Sequence, residues 1–312
     1  MTANSISYRL QRSIRSALPK GLKTAWWLIK ITVPVSFVVM LLDYFGLLAR
    51  IAFYTTPLFN LLGLPGVSAV VFITSLFTNV YSVVALLALF DFPFREGTIL
   101  AAMCLVSHGF LIETAVLKRT GSSPVRMLML RIISSFLIAW MLNALMPGSI
   151  STEPIAVSSA AQPFGKILWQ WFLSISETVT KILLLVNLLL IFQQIMEEFG
   201  WVNLINKPLA PLMKILGLPQ NTTLSWVVAN LIGLGYGSAI MIDQRDKGRM
   251  SRQEADLLNH HVAVSHSQLE DPLLFVSLGY AMHWLMWPRV VIALLTVWER
   301  RLELLIKSKR SV

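Results

Sequence analysis

The sequence predicts an all-α polytopic membrane protein whose two similar halves cross the bilayer in opposite directions. Three observations predict it. Of the 312 residues, 55% are hydrophobic and 13% are charged, whereas a soluble domain carries about 25% charged residues. Apolar segments of about 20 residues, the length that crosses a hydrocarbon core, recur along the chain. A motif near residue 45 also returns near residue 199.

The composition argues against a soluble globular enzyme, a disordered chain and a nucleic-acid-binding protein. The net charge is +10, and most of the excess lies in the two tails. Residues 1–23 carry five basic and no acidic side chains, and residues 299–312 carry five basic and two acidic ones. Basic segments mark the cytoplasmic ends of spans. The single cysteine, Cys104, rules out an internal disulfide and a cysteine-based metal site.

Eight apolar segments are candidates for helices at membrane depth. The segment at residues 24–46 is too long for the apolar region of a signal peptide, and no small-residue cleavage site follows it. The segments are 24–46, 66–90, 97–117, 127–146, 168–196, 222–242, 254–278 and 283–300.

The chain is internally duplicated. Residues 45–65 and 199–219 agree at nine of 21 positions, including LGLP at the end of each stretch, whereas chance predicts about two. Further along, the offset of 154 residues becomes 158. The matches at that offset are Glu96 with Glu254, Val106-Ser107-His108 with Val264-Ser265-His266, Leu111 with Leu269, Glu113 with Asp271, Gly121 with Gly279, and Arg131 with Arg289.

The charges set the orientation of the two copies. Both tails are basic and are predicted to be cytoplasmic, whereas the linker 147–166 carries only Glu153 and Lys166 and is predicted to be external. Each copy therefore makes an odd number of crossings and the copies are inverted, which is the architecture of many secondary transporters. The predicted organisation is a basic cytoplasmic segment at 1–23, a first repeat at 24–146, an external linker at 147–167, an inverted second repeat at 168–302, and a basic cytoplasmic tail at 303–312.

Each copy is predicted to contain one interfacial helix, one re-entrant hairpin and crossing helices, which gives about six crossings in all. The interfacial helices are 47–63 and 199–219, and the hairpins are 66–90 and 222–242. Small polar residues and glycines at mid-segment suit a turn at membrane depth, although a full crossing helix with small packing residues is the alternative. The predicted hairpin-tip residues are Thr78, Asn79, Tyr81, Ser82, Gly233, Gly235, Tyr236 and Gly237.

The repeated FG-x4-I-x5-PL-x3-LGLP motif, followed by a Gly/Ser-rich apolar segment, resembles the Gate ("nucleoside recognition") domain. That family includes spore maturation proteins A and B, the membrane part of the ferrous iron transporter B and, more distantly, concentrative nucleoside transporters. The resemblance covers roughly 45–145 and 199–300, so it implies two fused Gate units. It implies an interfacial helix, a hairpin and a broken helix in each half, with a solute site where hairpin tips meet broken helices. It does not identify the solute.

Ionisable residues inside a membrane are functional candidates because their burial is costly. The first cluster is Ser107, His108 and Glu113, and the second is His260, His261, Ser265, His266, Glu270 and Asp271. Gly109 and Pro272 would interrupt the helices here, and an interrupted helix offers backbone groups to an ion or a polar solute. His266 and Glu270 are four residues apart, which predicts that they share one helix face.

Three interpretations of the His–acid pairs remain open at this point. They could relay protons, hold a divalent metal through His108, His266 and Glu270, or lock the two halves together. Arg131 and Arg289 could pair with Glu113 and Asp271, or contact an anionic solute. The candidate ligands also include Asn79 and Asn230, the latter either bound to solute or hydrogen-bonded in the packing.

Two functions are compatible with these features. The first is a secondary transporter for a small polar or charged solute, coupled to protons or cations, and the second is a membrane scaffold of the spore maturation type. No motif of an enzyme or a nucleotide-binding loop occurs, so we expect no catalysis and no cofactor. The expected partners are the lipid bilayer and the solute, with a homodimer open and no nucleic acid. The expected location is the bacterial cytoplasmic membrane, with both termini cytoplasmic.

Overall fold

The structure, a computed structural model, describes residues 6–47, 54, 57–90, 92–147, 163–200 and 202–310. Helices dominate these residues and no strand occurs among them, which confirms the all-α prediction. The first half contributes α1 (Ile6–Tyr44), α2 (Val67–Phe77), α3 (Val80–Phe90), α4 (Phe94–Ser107), α5 (Phe110–Thr120) and α6 (Pro124–Leu145). The second half contributes α7 (Phe164–Glu198), α8 (Val202–Ile215), a 3-10 turn (Gln220–Thr222), α9 (Thr223–Leu231), α10 (Leu234–Asp246), α11 (Arg252–Ser265), α12 (Glu270–Val276) and α13 (Met282–Arg310).

Three of these helices are long and apolar enough to cross a membrane: Ile6–Leu42, Pro124–Leu145 and Phe164–Phe192. A fourth span results if α4 and α5, which are bent by 42° at their junction, count as one broken span. The count of about six crossings stays a prediction. The basic N-terminal residues and the first span form one continuous helix. The predicted interfacial helix 199–219 corresponds to α8, whereas much of 47–63 and most of the linker lie outside the described residues.

The long helices α1 and α7 pack against each other in antiparallel fashion. The Nε of Arg9 lies 2.9 Å from a carboxylate oxygen of Glu198 near the start of α1. Gly21 lies against Asn187, where a Cβ would come within 2.4 Å of the amide oxygen. Further along α1, the indole N–H of Trp171 donates to the hydroxyl of Ser36 at 3.0 Å. As the residue number increases along α1, the number of the contacting residue decreases along α7, which is the pattern of an antiparallel pair.

Both segments predicted to be hairpins are pairs of short helices. The first breaks at Thr78–Asn79, between two helices of 11 residues. The second breaks at Ile232–Gly233, between helices of 9 and 13 residues. A helix of 11 residues rises only about 16 Å, about half of the hydrocarbon thickness. Neither segment is one continuous helix. The alternative prediction of a full crossing helix with small packing residues therefore does not hold for them.

The helices α4 and α11 enter the bundle from opposite ends of α6. Near the start of α4, the guanidinium of Arg95 donates to the backbone carbonyl of Asn143 at 2.8 Å, close to the C-terminal end of α6. Near the start of α11, Asp256 accepts a hydrogen bond of 2.5 Å from the hydroxyl of Ser122, which lies just before α6 begins. The two helices therefore run toward the middle of the molecule from opposite sides.

The buried apolar residues form two cores, and the broken helices pass from one core to the other. Residues of α4 such as Met103 belong to the first core, but Leu117 of α5 belongs to the second. The second half mirrors this exchange, because Leu258 of α11 lies in the second core and Phe275 of α12 in the first. The two breaks therefore lie where the cores meet.

Candidate functional site

The helices α4 and α11 stop in the same way. Each ends at a serine and is followed by a histidine with extended backbone, with φ −64° and ψ 156° at His108 and φ −64° and ψ 162° at His266. The next residue has positive φ, +60° at Gly109 and +48° at Ser267. Ser267 is the one non-glycine residue with positive φ in the described part of the chain. Glycine adopts this conformation without steric cost, and the serine does not share that freedom.

Each break is held by the hairpin of its own half. The backbone N–H of Gly109 donates to the carbonyl oxygen of Ser75 at 3.0 Å. The N–H of Ser267 donates to the carbonyl oxygen of Ala229 at 2.9 Å. Ser75 and Ala229 differ by the offset of 154 residues, and Gly109 and Ser267 by the offset of 158. The hydrogen bonds thus repeat with the offsets found in the sequence.

Arg131 caps the end of α4. Its Nε donates to the carbonyl oxygen of Val106 at 2.8 Å, and its Nη2 donates to that of His108 at 2.5 Å. The last carbonyls of a helix have no partner within the helix, so the buried guanidinium supplies one. Its face also lies over the ring of Phe110, 5.0 Å from the centroid.

Arg289 repeats this cap at the end of α11. Its Nε donates to the carbonyl oxygen of Val264 at 3.1 Å, and its Nη2 donates to that of His266. Arg131 and Arg289 are both fully buried. The sequence pattern singled out both arginines but not this role, because capping depends on where the helices break.

The side chains of His108, Glu113 and His266 meet between the two breaks, and we call them the His–Glu cluster. The Oε1 of Glu113 lies 3.2 Å from Nε2 of His108 and 3.3 Å from Nε2 of His266. Its Oε2 lies 2.6 Å from Nη2 of Arg131, which is the predicted pairing. Asp271 extends the group, with Oδ2 4.0 Å from Nε2 of His108. Each acid therefore contacts the histidine of the opposite half.

The hydrogen bonds of the two imidazoles determine which ring nitrogens carry a proton and which present a lone pair to the cluster. The Nδ1 of His108 lies 3.0 Å from the carbonyl oxygen of Cys104, and that of His266 lies 2.8 Å from the oxygen of Val262. A carbonyl oxygen only accepts, so both Nδ1 atoms carry the proton. A neutral imidazole then presents a lone pair on Nε2, as a carboxylate does on each oxygen. The three converging atoms therefore require protons or a cation between them.

The cluster is enclosed. His266 is 1% exposed and His108 is 7% exposed, and the side chain of Glu113 is 15% exposed. A groove of about 420 Å³ lies between α6 and α13, but no residue of the His–Glu cluster lines it. The C-terminal ends of α4 and α11 both face the cluster, and helix C-termini favour positive charge. The guanidinium groups of Arg131 and Arg289 offset the negative partial charge of these carbonyl ends, and the cluster is largely buried.

The structure places Ser265 and Asn230 in a hydrogen-bonded link between α9 and α11. The hydroxyl of Ser265 donates to the side-chain oxygen of Asn230 at 3.2 Å, and it also lies 2.6 Å from Nδ1 of His261. The amide of Asn230 donates to the carbonyl oxygen of Trp226 at 2.9 Å. Of the two interpretations of Asn230, the packed and hydrogen-bonded one matches these contacts. Ser107 likewise bonds within its own helix, to the carbonyl oxygen of Met103.

The prediction that His266 and Glu270 share one helix face is wrong. The helix ends at Ser265 and the next one begins at Glu270, so the spacing of four residues does not apply. Glu270 is exposed. The group whose ligand atoms lie within 4.8 Å of one another contains Glu113 in its place. The corrected candidate metal set is His108, Glu113 and His266.

Several predicted tip residues lie beyond the turns themselves. Thr78, Asn79 and Gly233 form the two turns, with φ +134° at Gly233. The side-chain oxygen of Asn79 accepts from the N–H of Ser82 at 3.2 Å. The remaining predicted tip residues belong to the first turns of α3 and α10: Tyr81, Ser82, Gly235, Tyr236 and Gly237.

A second polar network, which the sequence did not predict, joins the middle of α11 to the end of α5 and the turn before α6. Asn259 accepts a hydrogen bond from the hydroxyl of Thr120 at 3.0 Å and donates to that of Ser122 at 2.9 Å. His260 belongs here, because its Nε2 accepts from Nε of Arg126 at 2.7 Å. The polar run of α11 signals this network, but its partners come from a distant part of the chain.

Comparison with known proteins finds similarity to a family and to a membrane protein. Residues 25–163 match the sequence profile of the Gate family, described as nucleoside recognition. An uncharacterized membrane protein of Bacillus subtilis (strain 168), YvoD, is 28% identical over 297 residues, which cover 92% of this chain and 92% of the relative. No solved structure matches the chain. Residues 25–163 are therefore similar to the Gate family, and this match, the relative and the apolar helices indicate a multi-pass membrane protein.

Proposed function

We propose that the protein is a secondary transporter for a small polar or charged solute and that the His–Glu cluster is its solute or coupling-ion site. One observation carries the proposal. Two helices that enter from opposite ends of the molecule break at equivalent residues, and the breaks bring His108, Glu113 and His266 into contact. Broken helices that present ionisable groups at the interface of two repeats are the binding sites of many secondary transporters.

The pairing of equivalent residues supports an inverted repeat. The caps made by Arg131 and Arg289 are alike bond for bond. The bonds from Gly109 and Ser267 to the hairpins are alike as well. The opposite directions of α4 and α11, and of α1 and α7, agree with an inversion between the halves. Rocking of one inverted half against the other is the usual means of alternating access.

The closed cluster supports movement of this kind. A solute or ion can reach buried side chains only when the surrounding elements separate. The contacts that close the site run between the halves, from Glu113 to His266 and from Asp271 to His108. Relative motion of the halves breaks these contacts and opens the cluster to one side of the membrane at a time.

The grouping of basic residues supports a cytoplasmic position for both termini. Arg245 donates to the carbonyl oxygen of Thr120, and Arg300 lies 2.7 Å from Asp256, so these basic loops and the end of α13 share one end of the molecule. Lys20 of α1 lies 3.4 Å from Asp243 at the same end. Loops rich in lysine and arginine are cytoplasmic in bacterial inner-membrane proteins.

Thermal unfolding of the purified protein against a ligand panel tests the proposal. The panel contains nucleosides, small organic acids and inorganic cations, each across a range of pH. A ligand present at about 100 times its dissociation constant stabilises the folded state by about 2.7 kcal/mol. We expect one solute class to stabilise the wild type and to lose its effect in His266→Ala, while His283→Ala, which changes an exposed histidine in α13, responds like the wild type.

The opposite result points to the scaffold function. If no solute stabilises the protein and a second protein co-purifies with it in fixed stoichiometry, the transporter proposal fails. If a solute does stabilise the protein, its uptake into proteoliposomes provides the direct measurement of transport.

A further inference from the structure

We infer that His108, Glu113 and His266 bind one divalent transition-metal ion of the Zn²⁺ class, through Nε2, Oε1 and Nε2, with further coordination positions open. The inference deepens the proposed function, because it names the ion class of the same site, and it rests on that function for what the ion does. Binding itself can be measured independently of transport.

Two of the three distances between the ligand atoms match those of a tetrahedral metal site. Zn²⁺ bonds to histidine nitrogen and carboxylate oxygen are about 2.0–2.2 Å long, so two ligands in tetrahedral directions stand about 3.3–3.5 Å apart. The Oε1 of Glu113 lies 3.2 and 3.3 Å from the two imidazole Nε2 atoms. All three atoms lie within 4.8 Å of one another. An ion can therefore occupy the space between them with little displacement of the side chains.

One unsatisfied atom of the cluster faces this position. The Nε2 of His266 is buried and has no hydrogen-bond partner among the described residues. Because both Nδ1 atoms donate to backbone carbonyls, neutral imidazoles direct lone pairs at the carboxylate. One shared proton satisfies a single nitrogen–oxygen contact and leaves the other as two facing lone pairs. A metal ion satisfies all three atoms together.

The surroundings of the three ligands resemble the outer shell of a metal site. Histidines that bind metals donate their other ring N–H to a carboxylate or a backbone carbonyl, as His108 and His266 do to Cys104 and Val262. The second oxygen of the carboxylate also has a charged partner, because Nη2 of Arg131 lies 2.6 Å from Oε2 of Glu113 as an ion pair. The rotamers of all three ligands are therefore set before an ion arrives.

The donor set selects the class of ion. Imidazole nitrogen suits zinc, copper, nickel and iron, whereas magnesium and calcium prefer oxygen ligands alone. Sites with three protein ligands keep a position for water or substrate. Asp271, 4.0 Å from Nε2 of His108, is near enough to bind the ion directly or through water. We therefore expect Zn²⁺ and Co²⁺ to bind and Mg²⁺ not to compete.

Metal binding by the full-length protein in detergent tests the inference. After chelator treatment and gel filtration, equilibrium dialysis against Zn²⁺ should give one tightly held ion per chain. His108→Ala and His266→Ala should each weaken binding by at least about tenfold, the lower bound seen when outer-shell partners of metals are changed. His283→Ala keeps wild-type binding, because this exposed side chain lies outside the cluster. Excess Mg²⁺ leaves the bound Zn²⁺ in place.

Co²⁺ substitution in the wild type gives a result that does not depend on how the variants fold. Bound Co²⁺ should show the visible ligand-field bands of a nitrogen and oxygen site, without thiolate charge-transfer absorption. Absence of stoichiometric Zn²⁺ from the wild type, or equal binding by His266→Ala, overturns the inference. If metal binding fails while a solute still stabilises the wild type but not His266→Ala, the transporter proposal stands and the cluster carries protons instead. Metal binding without any stabilising solute or uptake upholds the metal site and counts against transport.

Discussion

Glu113 in the first half of the chain lies 3.3 Å from Nε2 of His266 in the second half. The same carboxylate also contacts His108 and Arg131 of its own half. Among the described residues it is thus the one acid within 3.5 Å of both histidines, whereas its counterpart Asp271 lies 4.0 Å from His108. Two equivalent positions of the duplicated sequence have therefore diverged in what they contact. The cluster is asymmetric, because Glu113 lies against both imidazoles and Asp271 lies near only one.

Replacing Glu113 with glutamine should strongly destabilise the fold. The variant leaves the fully buried guanidinium of Arg131 without its carboxylate partner, and breaking a buried ion pair costs about 3–5 kcal/mol. Denaturant unfolding in detergent measures the change. Glu299→Gln is the matched control, because that side chain is 61% exposed and pairs only at the surface with Arg126; its effect should stay within about 1 kcal/mol. Equal effects of the two variants would contradict the assigned role.

Replacing Arg289 with lysine should weaken the end of α11. One ammonium group cannot reproduce the two parallel donors that cap the carbonyls of Val264 and His266. Loss of one hydrogen bond from a charged group costs about 1.5–3 kcal/mol, measured as the change in free energy of unfolding. Arg249→Lys, at an exposed position, serves as the control and should change stability by less than about 0.5 kcal/mol. A similar small effect at Arg289 would mean that its cap contributes nothing measurable.

The sequence predicts the parts of this site that repeat and fails where the halves meet. Equal residues at a fixed offset take equal positions in two copies, so the offset alone pairs Ser107-His108 with Ser265-His266. The glycine at 109 indicates the first break, because glycine allows positive φ. Its counterpart Ser267 carries no such signal, and a regular helical spacing therefore placed His266 beside Glu270 instead of Glu113.

The contacts between the halves depend on tertiary packing that no local pattern encodes. Glu113 and His266 are far apart in sequence, and they meet because α5 and α11 leave the two breaks in particular directions. The caps made by Arg131 and Arg289 also depend on tertiary packing that no local sequence pattern encodes. Sequence predicts that buried arginines need partners, whereas carbonyl oxygens become available only once the helix has stopped. The sequence shows the basic residues near the start of α11 and the end of α13. It does not show the hydrogen bonds that join this region to Thr120 and Ser122.

Stability near acid pH should depend on Glu303 at the end of α13. Hydrogen bonds from Lys307 and Arg300 lower the pKa of Glu303 to about 2, whereas an unfolded glutamate titrates near 4.3. A lowered pKa in the folded state stabilises the protein above the unfolded pKa, and this contribution declines as the pH falls toward 2. Melting temperatures of the wild type and Glu303→Gln should therefore differ at pH 6 and approach each other by pH 3. A difference that stays constant over this range would contradict the assignment.

Replacing Gly237 with alanine should disturb the second hairpin, whereas the same change at Gly235 should not. A Cβ at Gly237 would lie 2.4 Å from the Cβ of Ala229 and 2.8 Å from its Cα. The helices α9 and α10 must therefore separate, and overpacking of this kind costs about 1–3 kcal/mol. A Cβ at Gly235 meets nothing within 4 Å, and alanine favours a helix over glycine by about 1 kcal/mol. Since Ala229 also accepts the hydrogen bond from Ser267, the Gly237 variant should weaken ligand or metal binding at the cluster as well as thermal stability. If Gly237→Ala leaves both melting temperature and binding at the level of Gly235→Ala, the hairpin does not hold the break in place.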